Sequence, residues 1–161
     1  MTYRAAFVWV LLSWACLASA FRATSVVAAH SPLVAVVGAA FPVDDISYAD
    51  LRSVFRGQPI KLRGSTLIPI NHPLESRLRV LFDEIVLGLS PESVGSFWVD
   101  MRIRDQGTPP TTASTPQLAL RMAAALPGAV SYATEIAVLP MHKVLTVDGK
   151  KATDYGYPIK P

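Results

Sequence analysis

Residues 127–133 of this chain read PGAVSYA, and in this stretch a predicted helix gives way to a predicted strand. Apolar side chains recur at helical spacing through residues 116–126, and the following proline and glycine are typical of a helix end. Residues 129–133 are a short apolar run containing the β-forming residues Val130 and Tyr132. The stretch therefore predicts a helix leading directly into a buried strand.

The same alternation of helix and strand extends outward along the chain. Predicted strands occupy residues 33–37, 66–71, 129–133 and 143–147. Helices are predicted in four segments. The first lies between Ser47, which caps it, and Gly57, which ends it. The others cover about residues 74–87, the residues from Ser90-Pro91 to near Arg104, where the helix frays, and residues 116–126. Alternating strands and helices predict the α/β class, with a small, mostly parallel sheet flanked by helices.

The N-terminal segment has the pattern of an export signal. Arg4 precedes an apolar run over residues 5–18, and the run ends in the small residues Ala18-Ser19-Ala20. Because a membrane-spanning helix needs roughly twenty apolar residues, an uncleaved anchor is the weaker alternative. We therefore expect residues 1–20 to be a signal peptide, cleaved before Phe21, and the protein to be periplasmic or secreted without a stable membrane anchor.

The remainder of the chain is predicted to form one domain. We expect a flexible lead over residues 21–31 and a single α/β domain over residues 32–161. The one cysteine, Cys16, falls inside the predicted signal, so disulfides and thiolate chemistry are not expected. A net charge of +3 without a basic block argues against nucleic acid as a partner.

Local marks of catalysis and metal binding are missing from the sequence. The three histidines, His30, His72 and His142, are widely separated, and no acidic pair lies at ligand spacing beside them. The chain contains no nucleophile elbow, metalloprotease motif or phosphate-binding loop of the nucleotide type. We therefore predict a protein that is not an enzyme and has no catalytic residues, no metal and no cofactor.

The order of the segments resembles a known family. The matching pieces are LRSVFRG at residues 51–57, the strand and helix over residues 68–82, Trp98, and PGAVSY at residues 127–132. Together they resemble one lobe of the phosphate ABC transporter substrate-binding proteins, whose fold is periplasmic-binding-protein-like. The resemblance implies a single lobe of a protein type in which two lobes close on an anion.

The resemblance also implies a ligand site at the turn between residues 68–71 and the following helix. In the family, an arginine and a Gly-Ser-Gly-Thr turn hold phosphate with hydroxyls and backbone N–H groups at a helix N-terminus. In this sequence Ser76 matches the serine, and His72 lies where the arginine is expected. Glu75 and Arg77 replace the two glycines, and Leu78 replaces the threonine, so phosphate selectivity does not carry over directly.

A loop rich in threonine and proline, residues 105–115, is expected either to line the rim of the same pocket or to serve as a rigid connector. The predicted ligand-binding residues are Ser76, Arg77, His72, Thr108 and Thr111.

Two functions remain open at this point. A solute-binding protein, with phosphate or a related small inorganic anion as ligand and a link to ABC-transporter uptake, predicts a pocket with positive potential beside Ser76, Arg77 and residues 108–112. An extracytoplasmic interaction or adaptor module that has lost anion binding predicts an exposed apolar patch instead. Either protein would have a second copy of the chain, or another envelope protein, as a candidate partner.

Overall fold

The computed structural model describes residues 31–160, so the predicted signal peptide and most of the predicted lead lie outside the described residues. The strands are β1 (Leu33–Gly38), β2 (Asp45–Ile46), β3 (Lys61–Leu62), β4 (Ser65–Thr66), β5 (Ile68–Asn71), β6 (Thr111–Thr112), β7 (Ala129–Thr134) and β8 (His142–Val147). The helices are α1 (Tyr48–Phe55), α2 (Arg77–Phe82), which continues as a π-helical turn over Asp83–Leu87, α3 (Pro91–Ile103) and α4 (Pro116–Ala125). A short 3₁₀ turn, Glu135–Ala137, follows β7.

Six strands of the described part form one sheet in the order β2-β8-β1-β7-β5-β6, and β3 pairs with β4 in a separate hairpin. The pairs β2–β8, β5–β7 and β5–β6 are parallel. β1 is antiparallel to both of its neighbours, β7 and β8. The predicted mostly parallel sheet is therefore confirmed, and β1 is the one strand of this sheet that runs against the others.

β1 lies inside the sheet because its residues are apolar on both faces. Leu33, Val34, Ala35, Val36 and Val37 are all fully buried, as expected for a continuous run of β-branched and small apolar residues. Val36 lies between Ser131 of β7 and Val144 of β8. This central strand therefore ties together two strands that are distant from it in sequence.

Helices cover both faces of the sheet. On one face, Ala129 packs with Ala119 of α4 in a small apolar cluster. On the opposite face, Tyr132 stacks on Phe82 of α2 with ring centroids 3.8 Å apart. Because Ala129 and Tyr132 are three positions apart in a strand, their side chains point to opposite faces. The prediction of a sheet flanked by helices is confirmed.

Side-chain hydrogen bonds cap two helices, and one of the capping residues is the predicted Ser47. The Ser47 hydroxyl accepts a hydrogen bond from the backbone N–H of Asp50 at 3.0 Å, at the start of α1. The Thr115 hydroxyl accepts from the N–H of Leu118 at 3.1 Å, at the start of α4. Each bond pairs an N–H group that the first helical turn would otherwise leave without a partner.

Several segments differ from the sequence prediction, including the short strands β2 and β3 and two segments beside β5. The helix expected from residue 74 begins at Arg77, because the N–H of Ser76 bonds to the carbonyl of Pro73 in a turn. The predicted loop over residues 105–115 contains β6, which adds a short parallel strand to the edge of β5. Within the described residues, no helix has both the length and the apolar character that a membrane span requires.

Candidate functional site

The turn that leaves β5 rests on a buried histidine. The side chain of His72 has no exposed surface. Its Nε2 lies 2.7 Å from the carbonyl oxygen of Tyr132, and because a carbonyl only accepts, Nε2 carries the proton. Nδ1 is therefore the unprotonated nitrogen, and it is buried without a hydrogen-bond partner. Burial lowers the pKa of His72 and outweighs the hydrogen bond to the Tyr132 carbonyl, which raises it; the charge of Arg79 lowers it further, so the imidazole is neutral at physiological pH.

Tyr132 links this turn to the neighbouring strand β7. Its hydroxyl donates to Oδ1 of Asn71 at 3.3 Å and accepts from the backbone N–H of His72 at 3.4 Å. Burial raises the pKa of the Tyr132 phenol, so the hydroxyl stays protonated. The end of β5 is thus held by bonds to a residue about sixty positions away in the sequence.

Arg79 and Asp83 form a buried ion pair on the next helix. Nε of Arg79 donates to Oδ2 of Asp83 at 2.6 Å, and the two side chains are 3% and 4% exposed. Burial raises the pKa of Asp83, while the adjacent Arg79 opposes that effect. The second carboxylate oxygen, Oδ1, is buried without a partner. Since Arg79 is already paired, its charge offers little attraction to an additional anion.

A cleft of about 580 Å³ lies beside this ion pair, and we call it the α2–α3 cleft. It is bounded by the β5–α2 turn, by α2, by α3 and by residues 109–112. The polar side chains that line it include Asn71, Glu75, Arg79, Asp83 and Thr112. The remaining wall is largely apolar and includes Leu74, Val80, Pro91, Val94, Trp98 and Pro110.

The α2–α3 cleft lies where ligands gather in open α/β sheets. β5 and β6 run parallel, and Asn71 pairs with Thr112 at the carboxyl end of both strands. Both of these residues line the cleft. Crevices outside the carboxyl ends of parallel strands are the usual ligand sites of such sheets. The position of the cleft thus marks it as the candidate functional site.

The five predicted ligand residues occupy three different places. His72 lies in the core. Ser76 is the N-cap of α2 without a side-chain capping bond, and Arg77 follows it with an exposed side chain. Thr108 and Thr111 line a different cavity of about 250 Å³, together with Gln58 and Thr66. Glu75 lines the cleft, and Ser76 and Arg77 follow it along the chain, whereas Thr108 and Thr111 line the other cavity; the ligand role of all five stays a prediction.

Some residues of the α2–α3 cleft were not identified from the sequence. Arg79 and Asp83 are four positions apart, a spacing that places opposite charges together on a helix. This four-residue spacing is visible in the sequence, but the sequence does not show that the pair is buried. Trp98, named above only as a piece of the family resemblance, is 8% exposed and lines the cleft. No group of three or more potential metal ligands occurs among residues 31–160.

Together, the sheet and the cleft at the carboxyl ends of β5 and β6 define a single α/β lobe of the binding-protein type. Solved phosphate receptors share this fold. An ABC-type phosphate transport receptor from Vibrio cholerae matches with a TM-score of 0.60 at 15% identity, over 76% of this chain and 48% of that chain. A putative phosphate ABC transporter substrate-binding protein with bound phosphate from Clostridium perfringens matches with a TM-score of 0.60 at 16% identity, over 76% and 47%.

A third structure, PstS from Borrelia burgdorferi, matches with a TM-score of 0.53 at 12% identity, over 80% of this chain and 54% of that chain. This chain thus spans about half the length of the structures it matches and resembles one of their lobes. No family model and no curated protein matches the sequence. The resemblance at identities of 12–16% is a likeness of fold.

Proposed function

We propose that this protein is an exported, single-lobe solute-binding protein that binds phosphate or a related small anion and serves ABC-transporter uptake. The observation that carries the proposal is the fold shared with phosphate receptors, one of which contains bound phosphate. In addition, the β5–α2 turn lies at the carboxyl edge of parallel strands, where an anion can meet backbone N–H groups. This function requires no catalytic residue.

The proposed anion site is the β5–α2 turn. The Ser76 hydroxyl makes no capping bond within α2, which leaves it able to donate to a ligand. Arg77 is exposed and adds a positive charge beside it. Glu75, also exposed, opposes that charge, so weak binding is expected. His72 supports the turn from beneath, whereas Thr108 and Thr111 line the separate cavity of about 250 Å³.

Binding by one lobe leaves the anion in contact with a single protein surface. The shared fold covers only about half of each matched receptor. We propose that a second copy of this chain, or an envelope protein, covers the bound anion. Affinity is therefore expected to rise with the concentration of the partner, by mass action.

A thermal-shift experiment tests the proposed function. Millimolar phosphate or sulfate should raise the melting temperature, because a ligand that binds only the folded state stabilises it. Ser76→Ala should reduce the shift. Ser96→Ala is the matched control, since Ser96 is an exposed serine of α3 outside the cleft. An unchanged melting temperature of the wild-type protein at millimolar anion would contradict the proposal.

Export is a separate part of the proposal and rests on residues 1–20. If these residues are a signal peptide, N-terminal sequencing of protein recovered outside the cytoplasm should begin at Phe21. Ala20→Leu should impair cleavage, because signal peptidase sites favour small residues. Recovery of the chain with Met1 still attached would contradict this part.

An adaptor function is the second candidate, and an exposed apolar surface favours it. Ile136, Leu139 and Met141, which connect β7 to β8, are 89%, 52% and 51% exposed. Clustered exposed apolar side chains mark interaction surfaces. This alternative predicts no thermal shift with anions and binding of a hydrophobic dye that Ile136→Ser and Leu139→Ser reduce. A phosphate shift without dye binding would count against it.

A further inference from the structure

The α2–α3 cleft has the size of an organic ligand site. Its volume of about 580 Å³ falls within the roughly 300–1,000 Å³ of small-molecule pockets. Val94 and Trp98 are buried wall residues at 7% and 8% exposure, and Leu74 is 61% exposed at the mouth. A phosphate ion would touch few of these walls and would lose hydration beside apolar groups. The cleft therefore favours a ligand with an apolar body.

The charges that line the cleft do not favour an anion. Its charged side chains are Glu75, Arg79 and Asp83, and Arg79 is neutralised by its ion pair with Asp83. Whether Asp83 is ionised or protonated, the lining has no positive excess. Asp83 is 3% exposed and paired with Arg79, which leaves Glu75 as the exposed charged side chain of the lining. A cationic group complements this lining better than a phosphate does.

We infer that the α2–α3 cleft binds an organic amine with an apolar body the size of an aromatic ring. The apolar body packs against Val94 and Trp98, and the ammonium group faces the carboxylate of Glu75. Binding is noncovalent. This site goes beyond the anion site proposed at the β5–α2 turn, because it takes a ligand of opposite charge and different shape.

Gly95 allows the cleft to be filled without damage to the fold. It lies within α3, lines the cleft, and has no atom within 4 Å of where a Cβ would stand. Gly95→Leu therefore places a side chain in the cleft, and replacing a helical glycine with leucine favours the helix. Ser96→Leu is the matched control, because the next residue of the same helix is exposed and lies outside the cleft.

Isothermal titration calorimetry of the full chain with three probes of similar shape tests the inference. The probes are phenethylamine, phenethyl alcohol and hydrocinnamate, which carry positive, neutral and negative head groups. We expect the amine to bind tightest and hydrocinnamate weakest. Gly95→Leu should weaken amine binding more than tenfold, and Ser96→Leu should leave it unchanged. Glu75→Gln should weaken it roughly twofold to fivefold, as for an exposed charge pair, whereas Glu84→Gln, outside the cleft, should not.

The inference is overturned if the amine gives no heat at millimolar concentration, if hydrocinnamate binds tightest, or if Gly95→Leu binds the amine like the wild-type protein. Repeating the amine titration in the presence of phosphate separates the two sites. Unchanged amine affinity supports separate sites, and competition contradicts them. Amine binding without phosphate binding would remove the proposed function alone, and phosphate binding without amine binding would remove this inference alone.

Discussion

At the scale of single residues, the hydroxyl of Tyr132 determines how the candidate site is held. It bonds to Asn71 and to the backbone of His72, and its ring stacks on Phe82. The hydroxyl is the connection between the wall of the α2–α3 cleft and the core of the sheet. Loss of this one group should therefore affect stability and the position of Asn71 together.

Tyr132→Phe should lower the free energy of unfolding by about 1–3 kcal/mol, because it leaves a buried acceptor on Asn71 and a buried N–H on His72 without a partner. Urea denaturation measures the change. Tyr155→Phe is the matched control, since Tyr155 is fully exposed, and it should change stability by less than about 0.5 kcal/mol. Equal effects of the two substitutions would show that the Tyr132 hydroxyl bonds are not stabilising.

His72 should make stability depend on pH. Its folded-state pKa lies below the unfolded value of about 6.5, because burial disfavours the charged ring. Below that pH the unfolded chain binds the additional proton, so the free energy of unfolding falls as pH falls, by up to about 1.4 kcal/mol per pH unit. Above about pH 6.5 the ring is neutral in both the folded and the unfolded state, so the stability contributed by the neutral His72 is fully present. Asp83, whose pKa is raised, changes stability in the opposite sense.

Denaturation curves between about pH 7.5 and pH 5 should therefore show a steeper fall for the wild-type protein than for His72→Gln, which has no titrating group at this position. The comparison removes the contribution that Asp83 makes to both proteins. NMR titration of the His72 ring in the wild-type protein gives a second measure that does not depend on the variant. Equal slopes, together with a ring that titrates near pH 6.5, would contradict the burial effect.

The end of β5 is followed by a residue, His72, whose burial the local sequence does not predict. His72 was expected among the ligand contacts because it occupies the position of an arginine in the resembling family. The structure buries its ring against Tyr132, with ring centroids 4.6 Å apart. Whether a histidine faces the core or the solvent here depends on a residue sixty positions away, and nothing in the local sequence specifies that.

At the scale of elements, strands and helices with a strong periodic pattern were predicted well. β1, α1, α3, α4 and β7 lie close to their expected positions. β6 was missed because Thr111 and Thr112 lie in a segment rich in threonine and proline, and they form a strand only because β5 offers an open edge. The direction of β1 was also beyond prediction, since its partners β7 and β8 both lie far along the chain.

In the PGAVSY segment, glycine is required at residue 128 because the backbone of Thr66 lies close to it. Gly128 has a φ of +79°, and a Cβ there would lie 2.3 Å from the carbonyl oxygen of Thr66. Its own carbonyl accepts from the N–H of Ile68 at 2.8 Å, next to the start of β5. Only a residue without a side chain allows β7 to begin this close to the neighbouring hairpin.

Gly128→Ala should therefore destabilise the protein severely, because left-handed backbone strain of about 1–2 kcal/mol adds to a backbone clash. Gly149→Ala is the matched control. Gly149 has a similar φ of +72°, but no atom lies within 4 Å of its Cβ position, so it should cost only the strain. Chemical denaturation of both variants measures the difference, and equal losses would contradict the close approach.

At the scale of the whole molecule, the described residues form a single lobe whose fold matches about half of each solved receptor. The fold class was predictable because alternation of strands and helices survives in the sequence even where identity to the matched receptors is only 12–16%. The ligand chemistry was less predictable. A cleft wall forms from side chains on the β5–α2 turn, α2, α3 and β6, and their meeting depends on the whole fold.

The central claim is that this single lobe binds a small anion at the β5–α2 turn. Isothermal titration of phosphate into the wild-type protein and into Ser76→Ala tests it most directly. We expect saturable binding in the wild-type protein that weakens by roughly tenfold in the variant, the effect of losing one hydrogen bond to a charged group. No saturable heat at millimolar phosphate, or equal affinity in both proteins, would contradict it.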